Sequence, residues 1–179
     1  MPNMLEDKRQ ILFASFMKIL KNLISKELVF IIIIFLIDRF TKIYVIIKFD
    51  NNLSADLFQS KYLNFNLIWN DGIAFGLLSS SNIFFYNLLT FIIFLIIIVL
   101  IRMLINSTKL EKMALIFVIG GAFGNFLDRI IYKSVPDFID LHYNNFHWFV
   151  FNVADIFISL GVFFMILSEF IGNNNKFHE

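Results

Sequence analysis

Asp137 and Asp155 are the residues of this chain best suited to chemistry. Asp137 stands just past the end of one long apolar segment, in Val135-Pro136-Asp137-Phe138-Ile139-Asp140; Asp155 stands just inside the next, in Phe151-Asn152-Val153-Ala154-Asp155. A carboxylate at membrane depth is costly to keep, so each is a candidate functional group. Pro136 has no N–H to donate and ends any helix before it. The eighteen residues from Asp137 to Asp155 suffice for an outward excursion and a return, so the two carboxyls can face each other. Two carboxylates a few ångströms apart do not both ionise readily, so one keeps a proton while the other acts as base on a shared water. The protonated member polarises a scissile carbonyl, and the roles exchange as the amine leaves. That is the chemistry of an acid/base pair in an intramembrane protease.

Other nucleophiles find little support. The chain has no G-x-S-x-G elbow and no H-E-x-x-H helix. It has no cysteine, which excludes disulfides, thiolate metal sites and a cysteine nucleophile. His142 and His147, five apart across a hairpin-like stretch, read as interfacial polar residues. Asp38 and Lys42 are four apart and share a helical face, where a structural ion pair is favoured over a direct catalytic part. Asn125, Asp128 and Arg129 also share a face. Arg129 can hold Asp128, hold a substrate carbonyl or anchor its helix to the interface, and these three stay open. Asn152, Asp155 and Ser159 follow at i, i+3 and i+7.

These residues need elements that hold them at a membrane face. The chain is 59% hydrophobic, against about half for a soluble domain. The excess falls in four blocks near Leu28–Ile47, Asn82–Ile101, Met113–Tyr132 and Trp148–Ile171. Each is about 20 residues, the length that crosses about 30 Å of hydrocarbon. The expected fold is an all-α integral membrane protein with four transmembrane helices. On the fourth, Asp155 is expected about 7 Å from the bilayer centre. Gly120 and Gly124 are four apart in the third, a spacing that lets helix backbones approach closely; packing and holding a site open are both open roles. Residues 1–26 form an amphipathic segment, with Leu12, Phe13, Phe16, Ile19, Leu20, Leu23 and Ile24 at helical spacing, suited to the headgroup region. Residues 27–172 form the membrane domain and 173–179 a cytoplasmic tail.

The net charge of +1 gives no reason to expect nucleic acid. Lys8, Arg9, Lys18, Lys21 and Lys26 precede the first block, and Arg102, Lys109 and Lys112 separate the second and third. The positive-inside rule then puts both termini in the cytoplasm and the loops 48–81 and 133–147 outside, with the Asp pair. In those loops Leu63, Phe65, Leu67 and Trp69 alternate with mostly polar neighbours, the period of a half-buried strand, and Asp71-Gly72 turns the chain. Val135–His142 and Phe146–Phe149 suit a second short β element. A small extracytoplasmic sheet of this kind would face lipid or a lipid-bearing substrate.

At these residues the chain resembles the lipoprotein signal peptidases (signal peptidase II), aspartyl proteases of the bacterial inner membrane. Asp38-Arg39-Phe40-Thr41-Lys42, Asn70-Asp71-Gly72-Ile73-Ala74-Phe75-Gly76, Gly120 through Arg129, Val135-Pro136-Asp137-Phe138 and Phe151-Asn152-Val153-Ala154-Asp155 are similar to five blocks of that family, in its order. The resemblance implies that Asp137 and Asp155 are the catalytic dyad. It further implies that Asp38, Lys42, Asn70, Gly72, Ala74, Asn125, Asp128, Arg129, Asn152 and Ala154 bind substrate or support the site. The implied substrate is a prolipoprotein whose cysteine bears diacylglycerol, cut on the N-terminal side of that cysteine at the outer membrane face. Membrane lipid is an implied partner and globomycin an implied inhibitor, with no metal or cofactor required. Pro136, where an aliphatic residue is more usual, and Val150, near a common proline, depart from the pattern. The alternatives are a proton-coupled transporter or channel relaying protons through its Asp residues, and a structural membrane subunit, which leaves the costly acids unexplained. Four blocks with no detectable inverted repeat disfavour the transporter.

Overall fold

The computed structural model describes residues 26–50, 58–72, 83–107, 109–144 and 146–176. In chain order these form α1 (Lys26–Asp50), β1 (Phe58–Gln59), β2 (Leu63–Asn70), α2 (Ile83–Asn106), α3 (Lys109–Tyr132), β3 (Val135–Tyr143), β4 (Phe146–Phe151) and α4 (Val153–Lys176). The amphipathic stretch expected ahead of α1, and Ala74, lie outside the described residues. The segment expected as a tail is helical as far as Lys176.

Ile83–Asn106, Leu110–Tyr132 and Val153–Ile171 are long and apolar enough to cross a membrane. Of these, Leu110–Tyr132 is 61% buried inside the protein, against 6% and 11% for the other two, so α3 is the helix around which the rest assemble. Its glycines explain how. A Cβ on Gly120 would stand 2.8 Å from the Ile34 side chain on α1, and one on Gly121 would stand 2.5 Å from the Ala154 carbonyl on α4. Small residues at these points let two backbones come closer than any side chain permits. Ile31 and Ile34 of α1 pack on Leu115, Ile116 and Ile119 of α3, with Leu100 and Leu104 of α2 and Phe157 and Met165 of α4 around them.

The 25-residue α1 is as long as the other helices but carries Asp38, Arg39 and Lys42 at its centre. All three are buried, while Phe30, Ile33, Ile37, Phe40, Tyr44 and Ile47 cover the outer face. The charges are turned to the bundle interior and the apolar side chains outward.

The sheet has the order β1-β2-β3-β4, antiparallel throughout. The strands expected from alternation appear within a residue or two of their expected bounds. Pro136 sits inside β3 opposite Trp69 of β2, whereas pairing with β4 begins only at Ile139. Its missing N–H therefore leaves no gap on the β4 side. After α3, Lys133 takes a positive φ of 58° and the chain leaves the helix for β3.

One expectation is corrected. Trp148 to Phe151, counted into the fourth apolar block, form β4, and the helix starts at Val153. The run Trp148-Phe149-Val150-Phe151 is as apolar as the helix after it, so hydropathy cannot separate them; its aromatic and β-branched residues favour a strand. Asp155 thus lies in the first turn of α4, about 10 Å by helical rise from the middle of its apolar stretch instead of about 7 Å.

Candidate active site

Asn152 is the pivot of the site. It caps α4: its side-chain Oδ1 accepts from the Asp155 N–H at 3.2 Å, while Asp155 Oδ2 accepts from the Asn152 N–H at 3.1 Å. This is a reciprocal capping box, with Asn and Asp in the places more often held by Ser or Thr and Glu. The rest of the Asn152 amide points across to β3, where Nδ2 donates to Asp137 Oδ1 at 2.6 Å. One residue therefore fixes both carboxylates relative to each other.

Each carboxylate has a second amide partner. Asn70, the last residue of β2, donates from Nδ2 to Asp137 Oδ2 at 2.8 Å, and its Oδ1 accepts from the Gly72 N–H at 2.9 Å. That second bond closes an Asx turn where the sequence calls for one. Asn125 of α3 donates from Nδ2 to Asp155 Oδ1 at 2.8 Å. Asp137 is buried and Asp155 partly open. Burial first, and the Asp155 charge second, push the Asp137 carboxyl up from its ordinary range to about 6, against the opposing pull of Asn70, Asn152 and Lys42.

Behind the pair lies a buried charge cluster. Lys42 Nζ is 3.0 Å from Asp38 and 2.7 Å from Asp128, and Arg39 is 3.0 Å from Asp38 and 2.6 Å from Asp128. Two anions and two cations balance, which is the condition for keeping charges at this depth. The cluster reaches the site by two routes. Lys42 Nζ donates to Asn125 Oδ1 at 2.7 Å, which leaves the Asn125 amide to face Asp155. Asp38 Oδ1 accepts from the Ala154 N–H at 3.0 Å, one of the donors left without an intrahelical partner at the start of α4, where a negative charge also complements the positive end of the helix dipole. Gly124 leaves the space that the Asp38 carboxylate occupies.

Of the three roles left open for Arg129, holding Asp128 is not the one observed. Its guanidinium donates to the Gly72 carbonyl at 2.8 Å and the Asn125 carbonyl at 3.1 Å, tying the chain after β2 to α3. The structure thus brings together Asp137, Asp155, Asn70, Gly72, Asn125, Arg129 and Asn152, with Asp38, Lys42, Asp128 and Ala154 behind them. Arg39 was not singled out from the sequence. Its signal was arithmetic: two buried acids, Asp38 and Asp128, need a second cation besides Lys42.

The protein is a helical bundle and small sheet that bring one buried and one partly open carboxylate together. It is similar to a solved structure titled "Bacterial membrane enzyme structure by the in meso method at 2.3 A resolution", with TM-score 0.66 and 25% identity over 86% of this chain and 92% of that one. A family model described as signal peptidase (SPase) II matches residues 30–171. The chain is 50% identical to the lipoprotein signal peptidase of Pelagibacter ubique (strain HTCC1062) over 86% of its own length and 92% of the relative's. It is 42% identical to that of Blochmanniella pennsylvanica (strain BPEN) over 63% and 72%. The chain belongs to the signal peptidase II family, and is a bacterial membrane peptidase.

Proposed function

We propose that this protein is an intramembrane aspartyl endopeptidase that removes signal peptides from diacylglyceryl-modified prolipoproteins, with Asp137 and Asp155 as its catalytic residues. The carrying observation is the sharing of Asn152, which donates to Asp137 from its side chain and to Asp155 from its backbone. Charge balance supports a pair that shares one proton. Arg39 and Lys42 lie against Asp38 and Asp128, and among the described residues Lys42 and Arg129 act on the charges of Asp155 and Asp137. With Lys42 already shared by Asp38 and Asp128, one whole cation stands against two carboxyls, which favours a single negative charge on the pair.

Hydrolysis then proceeds through a water between the two carboxyls. The ionised carboxylate takes a proton from the water as its oxygen attacks the scissile carbonyl carbon. The protonated carboxyl gives its proton to the carbonyl oxygen, forming a gem-diol; the C–N bond then breaks as the amine receives a proton from the first carboxyl and a gem-diol hydroxyl returns one to the second. Asn70, Asn125 and Asn152 keep the carboxyls in place; Asp38, Lys42, Asp128, Arg129, Gly72 and Ala154 support the framework. The family implies that the bond cut precedes the lipidated cysteine and that globomycin-type molecules inhibit.

We also read α1 as a fourth membrane span, because its charges are buried and its outer face is apolar. The Lys and Arg distribution supports cytoplasmic termini, a cytoplasmic-membrane location and a site at the outer face. Residues 27–172 are then the protease domain. The test is cleavage of a diacylglyceryl-modified preprolipoprotein by purified protein in detergent. Asp137→Asn and Asp155→Asn should each abolish it while the protein stays folded, and full cleavage by either variant would end the dyad assignment.

A further inference from the structure

The hairpin of β3 and β4 carries a second set of chemically able side chains, Asp140, His142 and His147. Asp140 and His142 are two apart on β3, which puts them on one face of the strand. Asp137 is three residues from Asp140 in the same strand and so belongs to the other face. His147 reaches this group because of an irregularity. Leu141 pairs with Phe149, but the next residue, His142, pairs with His147, so the extra residue on β4 is Trp148. Bulges re-aim side chains in this way. Without it His142 would face Trp148; with it, the two imidazoles stack with centroids 5.2 Å apart.

The polar accounting around these rings is incomplete. His147 Nδ1 lies 2.8 Å from the buried Asp140 carboxylate, while His142 Nδ1 is buried with no hydrogen-bond partner among the described residues. A buried imidazole nitrogen without a partner needs an explanation. One carboxylate oxygen and one nitrogen from each histidine lie within 4.8 Å of one another. Two imidazoles and a carboxylate are a zinc donor set, and bonds of about 2.0–2.2 Å in tetrahedral array put ligand atoms about 3.4 Å apart. Small side-chain rotations close that gap, with water as the fourth ligand.

We propose that Asp140, His142 and His147 form a divalent transition-metal site, best suited to zinc, that clamps β3 to β4 apart from the Asp137 and Asp155 carboxyls. The donor set also suits copper, which such ligands bind more tightly, so zinc rests on availability as well as geometry.

The test uses tag-free, full-length protein in detergent micelles, carrying His178→Gln to remove the one histidine outside the cluster. After chelator treatment and removal, zinc is titrated by calorimetry, with thermal unfolding and X-ray absorption read on the same samples. Binding of about one zinc per chain, a raised unfolding midpoint and two-histidine ligation are expected. His147→Ala changes a half-exposed side chain; it and Asp140→Asn, with circular dichroism showing each folded, should each weaken binding at least ~10-fold. Asp137→Asn should bind zinc as the parent does. Absence of stoichiometric binding, unchanged binding in His147→Ala, or loss of binding in Asp137→Asn would each overturn the proposal. None of these outcomes depends on the peptidase assay.

Discussion

Lys42→Met tests whether the buried charge cluster is an electrostatic unit. Methionine keeps the unbranched stem and removes the ammonium, which contacts Asp38 at 3.0 Å, Asp128 at 2.7 Å and Asn125 at 2.7 Å. Both acids are fully buried and Arg39 alone would remain to balance them, leaving one uncompensated negative charge. Breaking a buried pair by removing one partner costs about 3–5 kcal/mol. At about 2–4 °C per kcal/mol for a chain of this size, the unfolding midpoint should fall by roughly 6–20 °C. Asp128→Asn alone leaves an excess positive charge and should cost a similar amount. The double variant leaves Asp38 facing Arg39 and is neutral again, so it should be less destabilised than the sum of the singles by at least ~1 kcal/mol. Cleavage should not recover with stability, because Asn125 has lost the cation that orients its amide toward Asp155. Differential scanning fluorimetry and substrate cleavage on the four proteins decide the matter. A Lys42→Met midpoint within about 2 °C of the parent, or strict additivity, would refute the charge-balance reasoning.

Two further perturbations probe the site. The Asp137 carboxyl, raised to about 6, binds its proton more tightly folded than unfolded, so its contribution to stability is present below pH about 4 and lost as pH rises through about 6. Relative to Asp137→Asn, the parent should therefore lose up to about 3 kcal/mol between pH 4 and pH 8, and pH-independent relative midpoints would contradict the raised value. Gly121→Ala puts a methyl 2.5 Å from the Ala154 carbonyl and 2.9 Å from Ile158. Parting α3 from α4 should cost about 1–3 kcal/mol. A shift of about 1 Å between the two carboxyls should lower kcat/KM up to ~100-fold, so parental turnover in this variant would show that the close approach is not needed.

Three candidate spans and the approach of Asp137 to Asp155 were legible because hydropathy and the cost of buried charge are local properties. The strands of the sheet showed in the alternation around Phe65 and Trp69 and in the short apolar runs after Pro136. What escaped was set by partners distant in the chain. Arg39 looked like one more charge in a span until Asp128, 89 residues away, came within 2.7 Å. Asp38 read as half of an i, i+4 pair, yet one of its oxygens also holds the Ala154 N–H 116 residues on. Arg129 turned from its neighbour Asp128 to a loop carbonyl that no spacing rule identifies. The boundary between β4 and α4 was missed for a different reason: both sides are apolar, and only the cap at Asn152 separates them.

That cap links folding to the site more tightly than a catalytic pair alone would require. The first turn of α4 needs partners for its free N–H groups, and finds them in the Asn152 side chain and in Asp38 of α1. The same turn presents Asp155 to Asn125 of α3, and that contact needs the close backbone approach that Gly121 permits. Asn152 can serve as cap only with its amide oxygen turned to the helix, which sends its NH₂ group outward to Asp137. Flipping the amide would lose the cap and the Asp137 bond together. The orientation of one amide is therefore settled twice, by helix start and by carboxylate, and the relative placement of the two acids follows from how α4 begins.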